Sequence, residues 1–314
     1  MAMAFAVTFP GQGSQSLGML TTLAGASGEI ETTFDEASDA LGYDLWKLCR
    51  EGPETRLNAT EQTQPAMLTA DVAVWRCWRA RGGPMPSVAA GHSLGEYAAL
   101  VSAGSVDFSA AVTLVAARGR YMQEAVPAGR GGIAALLGLS DRQVVDVCRQ
   151  TRASGRGEVD PVNFNAPGQV VIAGLSEAVD HAIALAREAG ARRAVRLPMS
   201  VPVHCELMRP AAERLRDRIA ECEWRTPAFP VLHNADLSEH RDAAGIAAAL
   251  VTQLVAPVRW ADTVHALAGY GIESLVELGP GKVLSGLARR IERELRALPV
   301  FDPASMDAAL EQLA

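Results

Sequence analysis

Short apolar runs alternate along this chain with longer amphipathic ones. Residues 5–9 form a short run, apolar but for Thr8, and predict a buried strand, which passes directly into the turn-rich loop Pro10-Gly11-Gln12-Gly13-Ser14-Gln15. Helical spacing follows over residues 29–41, 44–50 and 64–81, the last carrying Met67, Leu68, Val72, Trp75 and Trp78 at the helical period. Gly82-Gly83-Pro84 closes it. Residues 87–90 predict a second buried strand, with Gly91-His92-Ser93-Leu94-Gly95 directly behind it and helices over 96–103 and 109–126. Strands alternating with helices predict a parallel sheet covered on both faces.

After Pro127 the rhythm changes. A strand at 133–137, a helix at 140–151 with Ser140 as N-cap, and strands at 159–165 and 169–174 joined by Ala166-Pro167-Gly168 come in order. A helix at 176–189 and a strand at 191–197 complete a βαββαβ series, the split-βαβ arrangement of a ferredoxin-like unit. The expected architecture is therefore α/β. Residues 1–127 and 198–314 form an α/β-hydrolase-like core, and residues 128–197 form a small inserted ferredoxin-like domain. The returning segment predicts helices at 208–221, 243–255 and 284–298, strands at 231–234 and 274–277, and a short C-terminal helix.

The composition narrows the function. With 314 residues, 49% hydrophobic and 21% charged, this is an ordinary globular chain. A net charge of −7 disfavours general nucleic-acid binding. No apolar run is long enough to span a membrane, and the N-terminus lacks the basic, then apolar, pattern of a secretion signal. The five cysteines form no C-x-x-C pair and read as reduced thiols. A soluble cytoplasmic protein is expected.

The chemistry centres on Gly91-His92-Ser93-Leu94-Gly95. This is G-x-S-x-G between a buried strand and a helix, a turn that lifts the serine hydroxyl above the sheet edge. Amide N–H groups at the following helix start favour an oxyanion. A serine needs a base. Of His92, His181, His204, His233, His240 and His265, His204 is preferred because it lies in the rigid turn Ser200-Val201-Pro202-Val203-His204 at the return from the small domain. His92 is expected to point away from the elbow, and His181 and His240 to be solvated. No acidic residue stands out as its orienting partner, so a backbone carbonyl is a candidate for fixing the tautomer. Gly11-x-Gly13 does not continue to a dinucleotide fingerprint, Gly279-Pro280-Gly281-Lys282 is not a P-loop, and no metal-ligand spacing occurs, so neither metal nor cofactor is expected. Arg118 lies in an otherwise apolar helical stretch, where it either snorkels to water or is buried with an anion.

These motifs occur in a set. Phe9-Pro10-Gly11-Gln12-Gly13-Ser14-Gln15, Gln64-Pro65-Ala66, Gly91-His92-Ser93-Leu94-Gly95-Glu96-Tyr97 and Arg118-Gly119-Arg120-Tyr121-Met122-Gln123 come first. Val162-Asn163-Phe164-Asn165-Ala166-Pro167-Gly168-Gln169, Val201-Pro202-Val203-His204, Val255-Ala256-Pro257-Val258-Arg259-Trp260 and Glu277-Leu278-Gly279-Pro280-Gly281 follow in order. Together they resemble the malonyl-CoA:acyl carrier protein transacylase family over nearly the whole chain. The resemblance implies Ser93 as nucleophile, His204 as base, the main-chain carbonyl of Gln253 as its orienting acceptor, and the N–H groups of Gln12 and Leu94 as the oxyanion site. It implies Arg118 as the group that binds the malonyl carboxylate, with Gln64, Met122, Asn163 and Asn165 lining the acyl pocket or its approach. Malonyl-CoA and acyl carrier protein are the implied partners, and a monomer the implied state. The acidic carrier would meet the basic groups Arg192, Arg193, Arg196, Lys282, Arg289 and Arg290. The chain departs from the family pattern at Val203 and at Gly132-Ile133, both expected to alter pocket width. A serine esterase with the same elbow is disfavoured, because the Ser…Asp…His order and an H-G-G-G loop are absent.

Overall fold

The computed structural model describes residues 4–127, 129–199 and 201–313. The domain boundary drawn at residue 128 and Ser200 of the turn before His204 fall outside the described residues.

The strands are β1 (Phe5–Phe9), β2 (Val88–Gly91), β3 (Gly131–Leu137), β4 (Val159–Ala166), β5 (Gln169–Leu175), β6 (Arg193–Arg196), β7 (Val231–Leu232), β8 (Ser274–Leu278) and β9 (Arg296–Val300). Five make a wholly parallel sheet in the order β7-β2-β1-β8-β9. β1 lies at its centre, which is why it is apolar but for Thr8, whose hydroxyl donates to the Val276 oxygen: every residue of it is buried. Phe5, Val7 and Phe9 point into the larger core with Trp78, Leu94 and Tyr97, while Ala6 points to the opposite face with Trp260 and Leu267.

The remaining strands form an antiparallel sheet, order β4-β5-β3-β6, whose chain order is βαββαβ. This is the ferredoxin-like arrangement the sequence predicts. Helices Asp141–Ala153 and Ser176–Glu188 cover one face with Val144, Val147, Val179 and Ile183. Ser140 caps the first of them, its hydroxyl and Gln143 forming a capping box. The opposite face meets the return segment: Ile133, Val162, Val171 and Ala173 pack with Cys205 and against Val203. The small sheet thereby fixes the residues on both sides of His204. Ile133 and Val203, the two departures from the family pattern, fall in this one apolar cluster.

One expected helix is corrected. Residues 284–298 form a helix only over Val283–Ile291, and the chain then turns into β9. β9 pairs with β8 alone and lies at the sheet edge, where Pro299 is tolerated because its missing N–H leaves no inner ladder bond unmade. A helix at Trp260–Gly269 was not anticipated. No helix among the described residues is long and apolar enough to cross a membrane.

Asp71 is fully buried in helix Thr60–Ala80, and neither carboxyl oxygen has a hydrogen-bond partner among the described residues. Burial, reinforced by the nearby Glu277 carboxylate, pushes its pKa well above the usual carboxylate range. The folded chain thus keeps a proton that the unfolded chain gives up. Stability from this position is full below the ordinary carboxylate pKa and declines as pH rises toward the folded value. Asp71→Asn, isosteric with the protonated acid, should raise Tm by a few degrees at about pH 8, the gain closing toward about pH 4. Thermal melts across that range check it; a gain independent of pH would contradict it.

Candidate active site

The elbow is built by close approach. β2 ends at Gly91, Ser93 takes φ 52°, and helix Gly95–Ser102 starts two residues on. A Cβ on Gly91 would lie 1.9 Å from the carbonyl carbon of Gly95, and one on Gly95 2.1 Å from the Phe9 oxygen. Only glycine lets strand, turn and helix meet here. The loop after β1 closes on the same turn, since a Cβ on Gly11 would lie 2.4 Å from the His92 oxygen.

The elbow is also stapled. Asn234, just beyond β7, accepts from the Ser93 N–H at 2.7 Å and donates from Nδ2 to the Gly91 oxygen at 2.7 Å. Glu96, in the first turn of the helix, accepts from the Asn234 N–H at 2.8 Å, from Gln253 Nε2 at 2.9 Å and from His233 Nδ1 at 2.8 Å. Gln253 Nε2 donates also to the Ser93 carbonyl at 3.0 Å.

Ser93 Oγ lies 2.7 Å from His204 Nε2, and His204 Nδ1 lies 2.7 Å from the main-chain oxygen of Gln253. A carbonyl oxygen only accepts, so Nδ1 carries the proton and the Nε2 lone pair faces the serine hydroxyl. Burial, followed by the charge of Arg118, pushes the His204 pKa down to about 3. At neutral pH the ring is an uncharged acceptor, the form a base requires.

Arg118, on helix Phe108–Ala125, is wholly buried, which decides against snorkelling. Its Nη1 donates to Gln64 Oε1 at 2.5 Å, and its Nη2 to Gln253 Oε1 at 2.9 Å and to Ser93 Oγ at 3.3 Å. The guanidinium lies 5.5 Å over the Tyr97 ring. Gln64 Nε2 continues to Gln12 Oε1 at 3.3 Å, and Gln12 Nε2 to Thr60 Oγ1 at 3.3 Å. The main-chain N–H groups of Gln12 and Leu94 donate to no acceptor among the described residues.

Hydrogen bonds therefore bring together Ser93, His204, Gln253, Arg118, Gln64 and Gln12. Asn165 lies one step out, its Oδ1 2.9 Å from Nε2 of His92. His92 bonds to Asn165 with its ring tilted against Trp260, and its pKa is pushed down by burial. Asn163 bridges β4 to Val258 and joins no side chain of this network, while Met122 is buried in the large core one turn beyond Arg118. His181 contacts Thr151, and His240 pairs with Asp236. The six basic residues are exposed, with Arg196 bonded to Asp180 and Arg290 to Gln169 and the Pro167 oxygen. Sequence reasoning passed over Asn234, Glu96 and His233. The signal available for Glu96 was a carboxylate inside an apolar helical run.

The family model for the acyl transferase domain matches residues 7–300. The chain is 53% identical to the malonyl CoA-acyl carrier protein transacylase of Salmonella typhimurium, over 98% of this chain and 99% of that one. It is 41% identical to the Bacillus subtilis protein of the same name, over 98% and 96%. Among solved structures, the malonyl CoA-acyl carrier protein transacylase of Coxiella burnetii superposes with a TM-score of 0.98 at 48% identity, covering 100% of this chain and 98% of that one. A malonyl-transacylase in complex with its type II PKS acyl-carrier protein gives 0.96 at 52% identity, covering 98% and 99%. The chain belongs to the acyl transferase family, within its malonyl CoA-acyl carrier protein transacylase group.

Proposed function

We propose that this protein moves a malonyl group from malonyl-CoA to the phosphopantetheine thiol of an acyl carrier protein, through a malonyl ester on Ser93, and so supplies extender units for fatty-acid synthesis. The observation that carries the reading is a buried guanidinium 3.3 Å from a serine hydroxyl that is itself 2.7 Å from a neutral histidine. A nucleophile and a carboxylate receptor side by side suit an acyl group that ends in a carboxylate.

In the first half-reaction His204 Nε2 takes the Ser93 proton as Oγ bonds to the thioester carbon. The carbonyl oxygen becomes an oxyanion held by the N–H groups of Gln12 and Leu94. The C–S bond then breaks, and the His204 proton passes to the departing coenzyme A sulfur. In the second half the carrier thiol gives its proton to His204 and attacks the ester, and Ser93 recovers its proton as it leaves. No metal or cofactor takes part. The enzyme works as a cytoplasmic monomer.

Intact-mass measurement tests this. Mixing with malonyl-CoA should add one malonyl group per chain, and adding holo carrier protein should remove it to the carrier. Carrier lacking phosphopantetheine should leave it in place. Transfer without any enzyme adduct would reject the two-step route.

A further inference from the structure

Arg118 is a buried cation that, among the described residues, forms no salt bridge. Its partners are two side-chain amide oxygens and a hydroxyl, all neutral. A buried charge with no counter-ion strongly destabilises a fold. A counter-ion bonded directly to the guanidinium would solve that problem and create another. A fork-to-fork carboxylate takes up the same planar donors that an incoming malonyl carboxylate needs.

Glu96 is buried as completely as Arg118. One amide joins the two: Gln253 Oε1 accepts from Arg118 Nη2 at 2.9 Å, and Gln253 Nε2 donates to Glu96 Oε2 at 2.9 Å. Burial pushes the Arg118 pKa down, and the nearby Tyr97 hydroxyl and the Glu96 carboxylate work against that push. The geometry points to Glu96 as the resident counter-ion of Arg118, held one amide away by Gln253 so that on its Ser93 side the guanidinium meets only a weakly held hydroxyl, and no carboxylate that would compete with the substrate's. Glu96 is thus a positioning and specificity residue that never touches substrate. The inference rests on the malonyl reading for its kinetic consequence, and on the geometry alone for its effect on stability.

Glu96→Gln removes the charge with little change of shape. Both donors on Oε2, the Asn234 N–H and Gln253 Nε2, can be met by a glutamine oxygen. The remaining partner is His233 Nδ1, and His233 Nε2 is buried with no partner of its own among the described residues. A switch of tautomer lets Nδ1 accept from the new amide and moves the ring proton to the unpartnered Nε2, a cost that is the same with and without Arg118.

A double-mutant cycle on the full-length chain decides the matter. Glu96→Gln should lower Tm by several degrees more in the presence of Arg118 than in an Arg118→Gln background. A hydrogen-bonding role alone would lower Tm equally in both, which overturns the counter-ion. Should Glu96→Gln fail to fold alone, the double variant folds on this account; failure of both overturns it. In kinetics, KM for malonyl-CoA should fall about tenfold in Glu96→Gln, because the substrate becomes the only counter-ion, while kcat falls and KM for acetyl-CoA holds. Equal shifts in KM for the two donors also overturn it. A wild-type chain that takes no malonyl adduct would sink the proposed function and leave the Tm cycle, which needs no substrate, to judge Glu96.

Discussion

Ser93→Ala should abolish the malonyl adduct and lower transfer to carrier by about 10⁴-fold or more. The substitution removes one oxygen from a turn held by other groups. The Ser93 N–H remains on Asn234 and its carbonyl on Gln253, so the loss is chemical rather than structural. Alanine takes the φ of 52° with the same Cβ that serine already bears there, so Tm should change little. His204→Ala should cost nearly as much, and the double variant little more than either single one, because the two act as a unit. The depressed histidine pKa adds a pH signature. With His204 titrating near about 3, loss of the base does not limit kcat/KM until well into the acid range. The same shift bears on stability: the unfolded ring takes up a proton below its ordinary value of 6.5 and the folded one does not. His204 therefore contributes stability fully present above that value and lost as pH falls toward the folded pKa. Mass spectrometry and stopped-assay kinetics read the first set of outcomes. An adduct persisting on Ser93→Ala would place the nucleophile elsewhere.

How much of this was legible in the sequence depends on whether a residue acts through its own segment or through distant ones. Phe5–Phe9 showed itself as a central strand because both its faces are covered, which demands a run that is apolar at nearly every position. The elbow was legible because its glycines are required by contacts between β2 and the helix that directly follows it. Beyond Ile291 local pattern failed. Arg293, Glu294 and Arg296 continue a plausible helical surface, and only pairing with β8 makes Arg296–Val300 a strand. Arg118 could be read either way until helix Phe108–Ala125 was seen to turn it inward against Gln64 and Gln253, from separate parts of the chain. Asn234 lies 141 residues from the serine whose amide it holds, and no local rule marks it. The polar network behind the elbow is tertiary throughout, so its members look in sequence like unremarked residues of apolar segments.

Arg118→Ala should lower kcat/KM for malonyl-CoA by about 10²- to 10³-fold, the loss expected when a buried carboxylate is deprived of a bidentate cationic partner. The absolute rate is an ambiguous readout. Arg118 satisfies the side-chain oxygens of Gln64 and Gln253, and Gln253 presents the carbonyl that orients His204. Its removal therefore loosens the base as well as the receptor, and both donors slow. The ratio of malonyl to acetyl transfer separates the two effects. A loosened base slows every acyl group alike. A lost receptor penalises only the group that carries a charge, and it relieves acetyl of facing an unpaired buried cation. The ratio should accordingly collapse toward one. Arg118→Lys should recover only part of it, since a point charge on a flexible stem cannot reproduce a planar fork placed between two amide oxygens. Competition assays with mixed donors measure the ratio directly, and a ratio unchanged from wild type would remove Arg118 from substrate selection.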